Sequence, residues 1–375
     1  MTKVKLGEVT VNLDNRRKPL NNVQRQEKSV VKKYAYCGAN NIVDYIDDYI
    51  FDETDEILCI AEDGGSWGKE EKCTYIMREK CWVNNHAHVI KMNEGIDINY
   101  ISLFLNYTDL TPYITGSTRG KLTKSSLENI ELDLPDYEAQ VGISKKILSI
   151  QDLMEKKEKQ LAKLNELVKS RFHEMFGDVS AFEMDNLSNS VKEMFIGPFG
   201  SALKNDYFVP KEKSYCMVYE QKHAIKKTMN LETRYVDERK YKELKRFSIF
   251  PGDIIVSCRG TIGEVYQIPE DAPMGIMHPS IMKIRLDKSR YSSIYFKFLL
   301  NEYMDFQKSL SQGSGVKMAV TATELGNTRF PLPPLALQNQ FADFVAEVDK
   351  SQLAIKKSLE ELETLKKSLM QAYFG

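Results

Sequence analysis

The stretch Asn327–Val345, NTRFPLPPLALQNQFADFV, reads as a strand that halts at a proline cluster and restarts at once as a helix. Nearly the same arrangement, NIELDLPDYEAQVGISKKI, occupies Asn129–Ile147. Sliding the chain along itself by 198 residues puts Leu134 on Leu332, Pro135 on Pro333 and Gln140 on Gln338, and the register holds until Phe176 and Gly177 meet Phe374 and Gly375. Of the 44 pairs between Leu134 and Gly177, 11 are identical, where chance at ordinary composition gives about 3. Solenoid repeats run about 20 to 50 residues, so this longer period reads as two copies of a domain-sized unit.

After each proline the apolar residues recur at alternating spacings of four and three. The first seam is Ile143, Ile147, Ile150, Met154, Lys157, Leu161, Leu164, Val168, Arg171 and Met175; the second is Phe341, Val345, Val348, Gln352, Ile355, Leu359, Leu362, Lys366, Leu369 and Tyr373. This is a heptad pattern held for more than four heptads. Asp136 suits an N-cap, Pro334 is tolerable in a first turn, and Gly177 and Gly375 stand where a capping glycine belongs. Each helix spans about 40 residues, hence about 60 Å. Such a stripe needs another long helix to cover it. Lys157 and Arg171 interrupt the first seam where the second has Ile355 and Leu369, while Gln352 and Lys366 interrupt the second where the first has Met154 and Val168. A symmetric homodimer would stack Lys366 on Lys366. The pattern favours an intramolecular antiparallel coiled coil, in which basic stems lie along apolar neighbours and reach water; two separate helices docking on outside partners are the other arrangement.

Each helix follows a mixed strand-and-helix segment, which sets the expected boundaries at 1–135, 136–178, 179–333 and 334–375. The fold class is therefore α+β, with two α/β domains in tandem, each followed by a long helix. Both globular segments carry a β-like run ending in a Gly-rich turn, EILCIAEDGGSWG (Glu56–Gly68) and DIIVSCRGTIG (Asp253–Gly263), and a histidine beside a second β-like run about twenty residues on. A shift of 192 lays His86 on His278. The two segments thus share a scaffold and differ in surface chemistry, one offering Asn84, Asn85, His86 and His88, the other Arg259, His278 and Lys283. Before each helix a Gly-Ser turn leads into basic residues, Arg119, Lys121 and Lys124 in one copy and Lys317 in the other. Backbone N–H groups, hydroxyls and cations in such a turn suit phosphate contact; a polar turn between core elements is the plainer reading.

A net charge of -1 gives no whole-molecule pull toward nucleic acid, so any such role rests on local patches. RKYKELKR (Arg239–Arg246) has five bases and one acid, whereas DYIDDYIFDETDE (Asp44–Glu56) has seven acids and no base. The six cysteines form no CxxC pair, and the histidine pair His86 and His88 has no evident further ligands. With no signal-like or membrane-like apolar run, a cytoplasmic chain is expected. GGSWGKE (Gly64–Glu70) fails as a phosphate loop, because Asp63 stands for the leading glycine and Glu70 for the magnesium-binding hydroxyl. There is no NPPY-like methyltransferase tetrapeptide and no strand-linked GxGxxG, so catalysis by this chain, with a metal of its own, is not expected. The second helix closing on Gly375 also leaves no expected room for a catalytic domain after it.

Two diverged recognition-sized domains, each followed by a helix entered through Leu-Pro, with Gln five residues later and a Leu-rich end closing on Phe-Gly, resemble the DNA-specificity (S, HsdS-like) subunit of type I restriction-modification systems. LPDYEAQVGISKKI, PLPPLALQNQFADFVAEVDK, LEELETLKKSLMQAYFG, GPFGSALK (Gly197–Lys204) and DIIVSCRGTIG carry the resemblance. It implies a non-catalytic adaptor with two target-recognition domains, each reading half of a bipartite DNA site, and helices that dock methyltransferase subunits, two copies by pseudo-two-fold symmetry. Restriction (motor) subunits would join, and S-adenosylmethionine, ATP and magnesium would be bound by those partners. On this reading Asn84, Asn85, His86, His88, Arg259 and His278 would read bases, and Arg119, Lys121, Lys124, Lys204 and Lys317 would touch phosphates. The competing class is a coiled-coil scaffold with two protein-binding domains, motivated by the acidic segment and the charge of -1.

Overall fold

A computed structural model describes residues 2–116, 119–314 and 321–375, with 311–314 described as helical backbone only. Lys317 lies outside the described residues. The chain forms two compact units, Met1–Lys159 with Ile355–Gly375, and Gln160–Ala354. Each long helix, Tyr137–Phe176 and Leu335–Phe374, is therefore divided between the two.

In unit 1 a four-stranded antiparallel sheet runs in the order Thr10–Asn12, Ala87–Met92, Ile57–Ala61, Thr74–Met77. A second sheet orders Ile42–Ile46, Tyr34–Cys37, Cys81–Val83, the last two parallel. In unit 2 the four-stranded sheet repeats that order as Val191–Ile196, Ile281–Leu286, Ile254–Ser257, Val265–Gln267. Its second sheet orders Tyr235–Val236, Cys216–Tyr219, Gly275–Met277, Ser248–Ile249, and the central pair is again parallel. Ile57–Ala61 and Ile254–Ser257 are buried throughout, which is why both read as unbroken apolar runs rather than as alternating ones.

Helix Ile98–Tyr107 covers one sheet of unit 1, and Tyr100, Ile101 and Leu105 share a core with Leu58, Ile60 and Ile90. In unit 2 Tyr295, Phe296 and Leu300 of helix Ser293–Ser314 do the same for Ile254, Val256 and Ile284. Each fully buried aliphatic or aromatic side chain contributes about 1.5–3 kcal/mol.

The long helices complete both cores. Ile143, Ile147 and Met370 enter that of unit 1, and Val168, Phe172, Phe341, Val345 and Val348 that of unit 2. Within unit 2 the two helices run antiparallel, because Phe176 packs 5.7 Å from Phe341 while Asn165 accepts from Gln352 Nε2 at 3.0 Å. Gln352, polar in an apolar seam, thus finds a polar partner. Among the seam residues Ile143, Ile147, Val168, Phe341, Val345, Val348 and Ile355 are buried; Ile150, Met154, Leu161, Leu164, Leu359, Leu362 and Leu369 are half-buried.

The duplicated helix ends are aromatic plugs. Phe374 lies 5.2 Å from Tyr100 and 6.1 Å from Tyr107 in unit 1, and Phe176 lies 4.5 Å from Tyr295 in unit 2. The glycine after each is constrained: the Gly177 N–H donates to the His173 carbonyl at 2.8 Å, and a Cβ there would sit 2.5 Å from that oxygen.

The opening stretch has a structural explanation in its glutamine. Before each long helix a strand pairs antiparallel with the first strand of its unit, Glu131–Leu134 with Thr2–Lys5 and Arg329–Leu332 with Glu183–Asn186. Gln338, fully buried, accepts from the Ser292 N–H at 2.8 Å and donates to the carbonyls of Pro333 at 2.8 Å and Arg290 at 3.0 Å. Gln140 repeats this with the Asp97 N–H and the Pro135 carbonyl, both at 2.9 Å. One side chain thereby ties the proline break, the long helix and the start of the sheet-covering helix together. Asp136 caps the first long helix through the Ala139 N–H at 2.8 Å.

Candidate nucleic-acid interface

Strand pairing fixes which residues of the two units correspond. Ala61 pairs with Ala87, and Ser257 with Ile281, at the same place in the same sheet. The next N–H groups agree: Glu62 donates to the His86 carbonyl and Cys258 to the Ser280 carbonyl. The counterpart of His278 is therefore Asn84, not His86, a correction to the 192-residue shift. Their roles coincide, since Asn84 Oδ1 accepts from the His86 N–H at 2.8 Å and His278 Nδ1 from the Ser280 N–H at 3.2 Å.

In unit 1 the turn at 62–65 lies against Lys121–Leu122, and Asp63 bridges to Lys121. Asp63 Oδ1 meets His86 Nδ1 at 2.8 Å and Arg119 Nη2 at 3.1 Å. Beneath this layer is a buried ionic network. His88 Nδ1 contacts Asp14 Oδ2 at 2.6 Å and its Nε2 the Leu122 carbonyl at 2.7 Å; Arg17 holds Glu62 at 2.5 Å and Lys121 holds it at 2.8 Å. Burial raises the Glu62 carboxyl, but Lys121 and Arg17 outweigh it and leave it below the usual range.

Two expected base readers are thereby corrected. His88 is about 1% exposed with both ring nitrogens engaged inside the protein, and Asn84 is buried and spends its amide oxygen on a turn. The sequence showed no further ligands near the histidine pair, yet folding brings Asp14 and Glu62 within 4.8 Å of His88. Arg17 and Lys121 already neutralise those carboxylates, so the cluster reads as an ion network rather than a metal centre. Asn85, Arg119 and Lys124 are exposed and His86 is half-exposed. Lys121 and Arg119 keep exposed ends, but a phosphate would compete with Glu62 and Asp63 for them.

In unit 2 the turns at 197–200, 258–263 and 278–280 meet at one end of the sheet, joined by the Gly197 N–H to the Ile281 carbonyl and the Cys258 N–H to the Ser280 carbonyl, at 2.9 and 2.8 Å. Because His278 Nδ1 accepts a backbone N–H, its proton belongs on Nε2. Arg259 and Lys204 are exposed, and neither side chain has a hydrogen bond or ion pair among the described residues. Arg234 and Lys222 flank the site, both paired with Glu220. Lys283 is excluded from the surface, being 1% exposed and bound to Glu193 and to the Ser248 carbonyl. Asp63 of unit 1 corresponds to Arg259 of unit 2, so the charge at equivalent positions is reversed. Sequence reasoning missed Arg17, Glu62, Asp63 and Arg234, which no local pattern marks.

Burial, with Arg234 beside it, holds His278 below the usual imidazole range against the opposing pull of Glu220, and burial does the same for His223. An unfolded histidine takes up its proton near pH 6.5 while these folded ones do not, so unit 2 should lose stability as pH falls below about 6.5. His278→Asn keeps an acceptor for the Ser280 N–H and removes one titration. Its unfolding midpoint should decline less between about pH 6.5 and 5; a decline as steep as that of the wild type would count against the assignment.

The acidic segment is locally satisfied. Asp44, Asp48, Glu53, Asp55 and Glu56 pair with Lys32, Lys28, Lys80, Arg16 and Arg78, while Asp47 accepts three backbone N–H groups and Asp52 caps Thr54.

The sequence model of the type I restriction modification DNA specificity domain matches residues 1–166 and again 219–365. The chain belongs to the type I restriction-modification specificity family. This family is non-catalytic, methylation and cleavage lying with other subunits of the complex, and the specificity subunit supplies DNA recognition. Over 362 residues, 94% of this chain and 89% of the relative, it is 24% identical to a Haemophilus influenzae protein named, provisionally, as a type I restriction enzyme specificity subunit. The fold of the type I restriction-modification S subunit from M. genitalium covers all of this chain and 96% of its own with a TM-score of 0.64 at 14% identity. A chain from a structure of type I system assembly and conformational transition covers it equally, with 97% of its own length, at a TM-score of 0.55 and 14% identity. Among the described residues no helix is long and apolar enough to cross a membrane.

Proposed function

We propose that this specificity subunit reads a bipartite, asymmetric site in duplex DNA, one half per unit, within a cytoplasmic complex. The observation that carries the reading is the matched sheet order of the two units combined with unlike side chains at an equivalent loop position, Asp63 against Arg259. A shared scaffold presents two unlike surfaces to a double helix, and unlike surfaces select unlike half-sites. Residues 1–135 and 179–333 act as the reading domains, and the helices at 136–178 and 334–375 as a spacer of fixed length that sets the gap between half-sites. Arg259, His278, His86 and Asn85 are the proposed base contacts; Arg119, Lys121, Lys124, Lys204 and Lys317 are proposed phosphate contacts.

The same duplication suits recruitment of two methyltransferase subunits, joined by restriction subunits. S-adenosylmethionine, ATP and magnesium belong to those partners. The scaffold alternative keeps the net charge of -1 as a motive but loses the acidic segment, which is spent on internal pairs. Methylome sequencing of a host with and without the gene tests the reading: a bipartite methylated motif should vanish on deletion, and an unchanged methylome defeats it.

A further inference from the structure

The most exposed large apolar side chain described in the molecule is Phe199, 90% exposed. A lone surface phenylalanine is ordinary, but the backbone presenting this one is clamped on both sides. A Cβ on Gly197 would lie 2.3 Å from the His278 carbonyl, so only glycine lets the strand end press this closely against the His278 turn. Pro198 is buried, the Phe199 carbonyl accepts the Ala202 N–H at 2.8 Å to open a 3-10 turn, and Leu203 anchors the far side in a core with Cys216 and Val218. The ring is held out from a fixed base. The turns joined to this one carry Arg259 and His278, and Lys204 follows the 3-10 turn; among the described residues neither cation has an ion pair.

Resting on the DNA-reading proposal, we infer that Phe199 is a stacking wedge that inserts at a base step of the half-site read by unit 2. Every base step offers a π-face to an aromatic ring, and apolar wedges of this kind unstack and kink duplexes. The neighbouring cations draw the backbone in, and the ring gains the apolar contact it lacks in the free protein. Among the described residues, unit 1 shows no such clamped aromatic at the corresponding place. The segment that follows the corresponding strand Thr10–Asn12, residues 13–20, contains no aromatic residue, and Arg17 within it turns inward to Glu62. The distortion therefore belongs to one half-site.

The test uses the full specificity subunit assembled with its methyltransferase subunits, on duplexes carrying 2-aminopurine at successive positions. Wild type should brighten at a step in the unit 2 half-site distinct from the methylated base. Phe199→Ala should lose that signal and bind about 10- to 100-fold more weakly. The salt dependence should be unchanged, because no charge is removed, and Phe199→Trp should restore both. Retention of the signal with affinity within about two-fold overturns the wedge. So does loss of binding caused by failed assembly with the methyltransferase, which would make the ring a protein contact. Wild-type complex without site-selective binding would instead overturn the DNA-reading proposal itself, and this inference with it.

Discussion

Exchange of residues 179–333 for the corresponding segment of another family member is expected to change one half of the methylated motif and leave the other half intact. The loops proposed to read DNA in unit 2 all fall inside that segment, from Phe199 through Arg259 to His278. The unit 1 loops around Asp63, His86 and Arg119 make their hydrogen bonds within unit 1. Specific binding typically exceeds non-specific binding by about 10³- to 10⁷-fold, so the original half-site should be abandoned outright. The graft must supply an aromatic surface like Tyr295 for Phe172 and Phe176, because those plugs stay with the recipient helix. Methylome sequencing of the chimera reads the result. Alteration of both half-sites, or of neither, would contradict independent reading by each unit.

Gln338→Ala is expected to destabilise unit 2 by about 3–4 kcal/mol, mostly through groups it strands rather than bonds it loses. The Ser292 N–H and the carbonyls of Pro333 and Arg290 would remain in a buried site without partners, and an orphaned buried polar group costs about 1–3 kcal/mol. Gln338→Glu should also harm: one carboxylate oxygen can still accept from Ser292, but the other faces two carbonyls that need a donor. Denaturant unfolding, followed for the transition of unit 2, measures this. Equal stability of the wild type and both variants would show that the hinge is held by the prolines and strand pairing alone.

Much of the architecture was legible because its signals are local. Heptad spacing, the Leu-Pro break and the closing Phe-Gly each lie within one helix and announce it without knowledge of what it touches. The two arrangements weighed for the helices differ only in their partners, and packing of Phe176 on Phe341 in unit 2 is where they part. The reading residues were less legible. A histidine on a strand looks the same whether it faces solvent or, like His88, an aspartate 74 positions away. Lys283 likewise looked like a surface cation until folding set it against Glu193, 90 positions earlier. Phe199 lay inside a stretch already notable for family likeness, but its exposure follows from the clamp at Gly197, which involves a turn about eighty residues later.

The sequence by itself determined the duplication, the length and phase of both long helices, the repeated glutamine after each proline and the family, since identity at a fixed shift and periodicity along the chain are one-dimensional properties. Only the tertiary structure decided which polar side chains are spent internally and which remain for a partner. It also replaced the 192-residue alignment with the pairing of Asn84 and His278, and dissolved the acidic segment into local pairs. The physical reason is common to all of these: burial and charge neutralisation depend on groups brought together across sheets from distant positions, and chain spacing carries no record of that distance.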